Sequence, residues 1–233
     1  MNPTFPILAL ACDYDETLAF NGRVDASTVE ALVRLKGSGI KLLLVTGRQL
    51  GDLLSVCMEI RLFDRVVAEN GALIYRPVAR ETRPLAGRPP RHFLERLREQ
   101  KVKPLAAGRS IVATGQEFAP VVEKTIQEMG LDLEMIFNRE SLMILPREVN
   151  KATGLKAALA ELGVPAAAVM GIGDAENDDA FLKLCGIYAA VANAIPTIRA
   201  AADIIAEEDH GAGVVELINK VMAGDLSGVQ ASS

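Results

Sequence analysis

The amino-acid sequence predicts an α/β fold: a Rossmann-like parallel-sheet core with helices on both faces. Short, unbroken apolar runs at 7–12, 41–45 and 167–172 suit strands that are buried on both faces, as in a parallel sheet. Helical segments such as 151–162 separate these runs, and this alternation is typical of α/β domains. Hydrophobic residues make up 50% of the chain but aromatic residues only 4%, so aliphatic side chains must fill the core.

The first half of the predicted core runs from residue 1 to residue 81. After the strand at 7–12, a helix capped by Asp25 or Ser27 ends near Gly37. The strand at 41–45 and a helix at 49–60 follow. Two further strands, at 66–68 and 72–75, are separated by Asn70-Gly71, a pair that favours positive φ and therefore a tight turn.

A second unit is predicted between the two halves of the core, at 82–146, and is called the cap below. Residues 76–90 are rich in Pro, Gly and Arg, which is typical of an exposed connection. The following pattern predicts a small α+β unit: a helix at 92–100, a strand at 110–114, a helix at 118–129, and strands at 133–138 and 141–145.

The second half of the core is predicted at 147–233, which makes the core discontinuous in sequence. Asn150 is placed to cap the helix at 151–162. The later elements alternate in the same way: strands at 167–172, 187–190 and 203–205, with helices at 177–184, from 196, and at 212–222.

Charge and cysteine content exclude several classes of function. The net charge of −5 and the pI of about 5.2 argue against a nucleic-acid partner and against an anionic membrane surface, because both favour basic patches. Cys12, Cys57 and Cys185 are odd in number and set among apolar neighbours, which fits reduced thiols. No membrane span or signal peptide is recognisable in the sequence, so we expect a cytoplasmic protein.

Two carboxylates, Asp13 and Asp15, directly follow the first predicted strand. Charged residues at this point emerge at the carboxyl edge of the sheet, where ligands bind in open α/β folds. Being two residues apart, they would point the same way from an extended backbone. Their repulsion would require a cation or a proton. From this stretch alone, an Asx-type turn and a catalytic pair are equally good interpretations.

Other strand ends favour the catalytic interpretation. Thr46 follows the second strand and Asp174 follows the strand at 167–172, so a parallel sheet would bring both to the same edge as Asp13. Asp174 also opens an acidic cluster that extends to Asp178 at a helix start. Hard oxygen ligands from two strand ends suit Mg²⁺, which proteins usually hold through one or two carboxylates.

These residues together resemble the motifs of the haloacid dehalogenase superfamily phosphatases, in particular the Cof-like branch with an inserted α+β cap. Four motifs occur in the family's order: Asp13-Tyr14-Asp15-Glu16-Thr17, Thr46-Gly47-Arg48, Lys151, and the run from Gly173 to Asp178. The first motif departs from the family pattern at one position, where Glu16 stands in place of the usual Gly. Because Glu16 is larger than Gly, it would alter the backbone freedom of this loop or occupy substrate space.

The resemblance implies a role for each catalytic residue. Asp13 would attack the phosphorus and become an aspartyl-phosphate. Asp15 would protonate the leaving group and then activate the hydrolytic water. Thr46 and Gly47 would bind the phosphoryl group, and Lys151 would counter charge on the nucleophile and the phosphoryl oxygens.

The resemblance also implies a Mg²⁺ cofactor. Its ligands would be Asp13, Asp174 and the backbone carbonyl of Asp15. Asp178 would ligate through water or orient Lys151, and Asn177 would position neighbouring groups at the phosphate.

The expected function is a Mg²⁺-dependent phosphatase for a small phosphorylated metabolite, such as a sugar phosphate or phosphoglycolate, acting as a monomer or dimer. Two alternatives stay open at this point: phosphoryl transfer as in a phosphomutase, and a non-enzymatic phospho-aspartate module that resembles a receiver domain. The second has no need of Asp15 or of a cap. A dinucleotide-binding domain is disfavoured, because no Gly-x-Gly-x-x-Gly follows the first strand.

Overall fold

The computed structural model of the chain describes residues 6–138, 140–147 and 149–226. The strands are β1 (Ala9–Cys12), β2 (Lys41–Val45), β3 (Arg65–Ala68), β4 (Leu73–Arg76), β5 (Glu81–Pro84), β6 (Ala106–Ala107), β7 (Val112–Gly115), β8 (Leu133–Asn138), β9 (Ser141–Pro146), β10 (Val169–Gly173), β11 (Ile187–Ala190) and β12 (Ile204–Ile205). The α-helices are α1 (Ala26–Gly37), α2 (Leu50–Val56), α3 (Arg91–Glu99), α4 (Ala119–Glu128), α5 (Lys151–Leu162), α6 (Asp179–Leu184), α7 (Pro196–Ala201) and α8 (His210–Ala223).

The larger sheet has eight strands in the order β12-β11-β10-β1-β2-β3-β4-β5. The pairs from β12 to β3 are parallel, whereas β4 and β5 are antiparallel to their neighbours. β1 lies between β10 and β2, with Ala9 opposite both Val169 and Lys41. This arrangement confirms the predicted α/β class and places the carboxyl ends of the three central strands at one edge.

Aliphatic side chains fill the core of the larger sheet. β1 and β10 are buried along their whole length, as their unbroken apolar sequences predicted. Each fully buried Leu or Val side chain contributes about 1.5–3 kcal/mol relative to exposure, so this layer stabilises the strand ends that carry the polar residues. No helix in the described ranges is both long enough and apolar enough to cross a membrane.

The smaller sheet has the strand order β6-β7-β9-β8, is antiparallel, and lies within the predicted cap. Its own apolar core includes Phe93 and Leu97 of α3, Val122 of α4, and Ile144 of β9. A further small cluster joins the two sheets, where Ile111, Met143 and Leu145 of the cap pack with Ala72. The boundaries at 81/82 and 146/147 stay a prediction. β5 begins at residue 81, directly before the first boundary, and pairs along its whole length with β4 of the larger sheet.

The strand β5 replaces part of the connection predicted at 76–90. Its residues are mostly exposed, so the sequence shows no apolar alternation there. It is an edge strand whose last residue is Pro84, and Pro is tolerated in sheets at such edges. The helix predicted at 49–60 is shorter than expected: α2 ends at Val56, and a separate 3₁₀ turn spans Ile60–Leu62.

Glu161 of α5 ties this helix to the edge of the larger sheet. Its carboxylate accepts hydrogen bonds from Arg76 at 3.1 Å, Arg83 at 2.9 Å and Arg65 at 2.7 Å. Its side chain is 11% exposed. Hydrogen bonds from Arg76, and then from Arg83 and Arg65, lower the pKa of Glu161 from 4.5 to about 2. The carboxylate form is therefore favoured in the folded protein.

We expect Glu161→Gln to lower the free energy of unfolding by about 1–2 kcal/mol at neutral pH, allowing for solvent screening. Because the folded-state pKa is depressed, this stabilisation is complete above the unfolded pKa of 4.5 and is lost as the pH falls towards about 2. Urea titrations from neutral to acidic pH measure it. Glu95→Gln, at an exposed helical ion pair, is the control. Equal effects of the two substitutions at neutral pH would contradict the prediction.

Candidate active site

Three buried polar residues meet at the carboxyl edge of the larger sheet. Asp13 follows β1, Thr46 follows β2 and Asp174 follows β10. Backbone hydrogen bonds continue the sheet pattern through this edge, from Asp13 N–H to the Ile172 carbonyl at 2.9 Å and from Thr46 N–H to the Val67 carbonyl at 2.8 Å. The structure therefore brings together the strand ends that the sequence singled out.

Lys151 reaches this edge from the first residue of α5. Its Nζ donates to Oδ1 of Asp13 and to Oδ1 of Asp178, both at 2.6 Å, and its side chain is 1% exposed. Burial alone would lower the pKa of Lys151, but the charges of Asp13 and Asp178 outweigh burial and raise it. Lys151 is thus a permanent cation between two carboxylates.

Glycine at position 71 allows the lysine to come this close. Gly71 has φ +102°, and a Cβ there would lie 1.8 Å from the carbonyl oxygen of Asn150. Asn150 caps α5 by accepting the Thr153 N–H, while Thr153 Oγ1 accepts the Asn150 N–H, both at 3.0 Å. The Asn-Gly turn predicted from the sequence therefore also seats the start of α5 against the core.

The acidic cluster fits a divalent cation. One carboxylate oxygen from each of Asp13, Asp174 and Asp178 lies within 4.8 Å of the others, and all three residues are buried. Burial first, and then the charge of Asp178, raise the pKa of Asp13 well above its usual value despite the contact with Lys151. A single ammonium cannot neutralise three carboxylates, and all-oxygen donors are what Mg²⁺ prefers. The residues present therefore suit the metal that the sequence predicted.

Hydrogen bonds hold the two distal carboxylates of the cluster in place. Oδ2 of Asp178 accepts the backbone N–H groups of Asp174 at 2.9 Å and Ala175 at 3.0 Å. Oδ1 of Asp174 accepts the hydroxyl of Thr17 at 2.7 Å. Sequence reasoning did not find this contact of Thr17. The available signal was that Thr17 lies in the same loop as Asp13, at the edge of the sheet where Asp174 was also expected.

Asp15 has a different partner from Asp13. Arg48 donates to both of its oxygens, from Nη2 at 2.7 Å and from Nε at 2.8 Å, and donates from Nη1 to Asp52 at 2.5 Å. The Asp15 side chain is 40% exposed, whereas that of Asp13 is 7% exposed. Both acids line the cleft, as their spacing predicted. The two carboxylates are thus separated into a buried one bound by Lys151 and a cleft-facing one bound by Arg48.

Glu16 adopts the backbone conformation that a glycine would take most easily. Its φ is +60°, in the left-handed region. Its carbonyl accepts a hydrogen bond from Asn193 Nδ2 at 2.7 Å and lies 2.9 Å from His210 Nδ1, which therefore carries the proton. These two contacts hold the strained turn beside Asp15. Sequence reasoning gave His210 no role, because nothing in the chain places it near residue 16.

The remaining predicted residues lie around the same edge. Thr46 Oγ1 accepts the Arg48 N–H at 3.1 Å. Asn177 Nδ2 donates to Asn70 Oδ1 at 3.4 Å. In the described chain, Asn177 Oδ1 and Asn70 Nδ2 are buried without a hydrogen-bond partner. Buried polar groups of this kind are costly when they have no partner, so the described residues alone leave these two amides unsatisfied.

The cap closes over the strand ends. A cleft is formed between core residues, among them Asp13, Asp15 and Arg48, and five residues of the cap: Ala106, Ile111, Ala113, Ser141 and Met143. A Cβ at Gly47 would lie 3.3 Å from Met143 Sδ, so glycine allows the cap to approach the loop after β2. Arg48 is the one basic residue among the described residues that line this cleft, and four of its five cap residues are apolar.

Comparison with known proteins identifies related chains. Residues 10–117 and 95–218 match the family of haloacid dehalogenase-like hydrolases. Phosphoglycolate phosphatase 2 of Saccharolobus solfataricus is 32% identical over 229 residues, which cover 94% of this chain and 94% of that protein. The phosphoglycolate phosphatase of Methanobrevibacter smithii is 28% identical, with 91% and 97% covered. A haloacid dehalogenase-like hydrolase from Bacteroides thetaiotaomicron superposes with a TM-score of 0.79 at 21% identity, covering 91% and 98%.

Proposed function

This chain belongs to the haloacid dehalogenase-like hydrolases, and we propose that it hydrolyses a small phosphate monoester through an aspartyl-phosphate at Asp13. One observation carries the proposal: two carboxylates at the end of β1 have opposite environments. Asp13 is buried against Lys151, and Asp15 faces the cleft beside Arg48. Two carboxyl groups in such different environments, one buried and one facing the cleft, are suited to different roles in a reaction.

In the first step, Asp13 acts as the nucleophile. Lys151 holds Oδ1 of Asp13, which leaves Oδ2 to attack the phosphorus. The new bond joins Oδ2 to phosphorus while the ester P–O bond breaks, and Asp15 gives its proton to the departing oxygen. The ammonium of Lys151 stabilises negative charge that develops at Asp13 and at the phosphoryl oxygens.

In the second step, Asp15 acts as a base. It removes a proton from a water molecule that attacks the phosphorus, the Asp13–phosphate bond breaks, and inorganic phosphate leaves. Asp15 is protonated again and Asp13 returns to its carboxylate form. Arg48 binds both oxygens of the carboxylate form of Asp15 and fixes its position over the cleft, and one of these hydrogen bonds gives way when Asp15 carries the proton.

The phosphoryl group is bound by residues around Asp13. Gly47 lines the cleft without a side chain and Asn177 lines its neighbouring part, so both are placed to contribute hydrogen bonds to the phosphoryl group. Asp13, Asp174 and Asp178, with the Asp15 carbonyl, would hold Mg²⁺, which when bound supplies positive charge to the phosphoryl oxygens. Thr17 keeps Asp174 oriented for this role.

Phosphoglycolate is the substrate we propose to test first, and sugar phosphates second. Two relatives matched over at least 91% of this chain bear the name phosphoglycolate phosphatase. Ile111 and Met143 on the cap side of the cleft take up space that a bulky leaving group would need. Free, buried Cys12, Cys57 and Cys185 support a reducing, cytoplasmic compartment for this reaction.

Phosphate release from a panel of monoesters, measured with Mg²⁺ and with EDTA, tests the proposal. We expect release that requires the metal and that is fastest for a small ester. Chelation should remove it almost completely, because the single ammonium of Lys151 cannot neutralise the phosphate and three buried carboxylates together. Release that continues unchanged in EDTA would contradict the metal-dependent mechanism. An isomeric sugar phosphate in place of free phosphate would point to a phosphomutase.

A further inference from the structure

Glu69 is a buried carboxylate at the joint between the core and the cap. It follows β3 and is 1% exposed. Its Oε1 accepts the backbone N–H of Arg109 at 2.9 Å, and its Oε2 accepts those of Ser110 at 2.6 Å and Ile111 at 3.3 Å. These donors belong to the loop that joins β6 to β7. A core side chain thus binds three consecutive amides of the cap.

The turn that contains Glu69 and Asn70 is also bound to the loop after β2. The N–H of Glu69 donates to the carbonyl of Arg48 at 2.9 Å, and that of Asn70 donates to the carbonyl of Thr46 at 3.0 Å. Glu69 therefore connects the cap loop, residues 108–111, with the segment that carries Thr46, Gly47 and Arg48.

Three features indicate that the carboxylate of Glu69 has a specific role at this contact. In the described chain, Glu69 makes no ion pair, so these backbone donors compensate its burial. A Cβ at Gly108 would lie 2.8 Å from Glu69 Oε2, so any side chain there would displace the carboxylate from its present position. Glu69 and Asn70 have φ of +53° and +54°, a strained backbone of the kind found at functional sites.

The cap loop leads directly into the cleft wall. Ile111, whose N–H is bound by Glu69, lines the cleft, as do Ala106 and Ala113 on either side of the loop. Asp15 and Arg48 line the same cleft. The position of the loop therefore sets the space available to the leaving group of the substrate.

We propose that Glu69 is a positioning residue that docks the cap loop on the core and thereby determines which leaving groups fit the cleft. This inference rests on the proposed phosphatase function. A carboxylate is required because it only accepts hydrogen bonds, whereas the amide of Gln would turn an N–H₂ group towards backbone N–H donors. Loss of the contact would release the cap loop from the core.

Two substitutions test the contact from its two sides, Glu69→Gln in the core and Gly108→Ala in the cap. Hydrogen exchange is measured first, because it does not depend on activity. We expect the amides of residues 109–111 to exchange about tenfold faster in each variant, with β1 and β10 unchanged. The double variant should exceed either single variant by little, since both remove one contact. Exposed Glu123→Gln on α4 is the control.

Selectivity is measured next, as the ratio of kcat/KM for phosphoglycolate to that for the bulkier p-nitrophenyl phosphate. We expect this ratio to fall about tenfold in both variants, mainly through a higher KM for phosphoglycolate. Exchange at 109–111 equal to that of the control, or an equal loss of kcat/KM for both esters, would overturn the proposal. If the unmodified protein released no phosphate, the phosphatase function would fail, and the exchange data alone would decide whether Glu69 docks the cap.

Discussion

Replacing Asp13 by Asn abolishes phosphate release, on the order of 10⁴-fold or more, because an amide oxygen cannot form the phosphoenzyme. We expect the free energy of unfolding of the variant to be higher than that of the unmodified protein, or to differ from it by no more than about 1 kcal/mol. Asn still accepts the hydrogen bond of Lys151, and one charge is removed from a crowded acidic cluster. Phosphate release and urea unfolding, measured on the same preparation, separate the two effects.

The matched control for Asp13→Asn is Asp132→Asn, at an exposed ion pair of the cap. It should keep nearly full activity. A covalent probe adds a direct assignment: borohydride reduction during turnover should mark Asp13 in the unmodified protein and no residue in the variant. Substantial activity in Asp13→Asn, or a mark on another residue, would refute Asp13 as the nucleophile.

Replacing Lys151 by Met is expected to cost both stability and activity. The loss of unfolding free energy should be about 3–5 kcal/mol, because two buried carboxylates lose the cation that they share. Phosphate release should fall about 10²–10³-fold, since charge developing at the nucleophile is no longer compensated. Urea titration with and without Mg²⁺ measures the first effect, and we expect the metal to restore part of the lost stability.

Lys156→Met is the control, because Lys156 is exposed on the same helix. It should change stability by less than about 0.5 kcal/mol. If Lys151→Met were as stable as Lys156→Met, the ammonium would not be holding the acidic cluster together. If it were less stable but fully active, Lys151 would be a structural residue only.

Sequence patterns predicted the sheet and its functional edge. Apolar runs that end in Asp13, Thr46 and Asp174 identify the edge because parallel strands all present their carboxyl ends on one side. The α/β class is confirmed by the parallel order around β1. Exposed β5 was missed because an edge strand buries too little surface to impose a pattern on its sequence.

The contacts of Lys151 could not be predicted from sequence patterns. A lysine at a helix start is usually a solvated charge, and two indications of a role were available: its poor match with the helix dipole and the family motif. The structure adds the cause: Gly71 lets α5 approach closely enough for Nζ to reach two carboxylates. The catalytic, phosphate-binding and metal roles of the individual residues stay predictions, which the substitutions above test.

The sequence by itself determined which residue types stand at each strand end, since local hydrophobic periodicity and turn chemistry are encoded residue by residue. Tertiary structure alone decided the partner of each charge. Thr17 binds Asp174 across 157 positions, Arg48 binds Asp15 across 33, and Glu69 binds the cap loop across about 40. Such contacts leave no periodic trace, because they depend on how separate elements pack. They divide two neighbouring acids into a buried carboxylate bound by Lys151 and a cleft-facing carboxylate bound by Arg48.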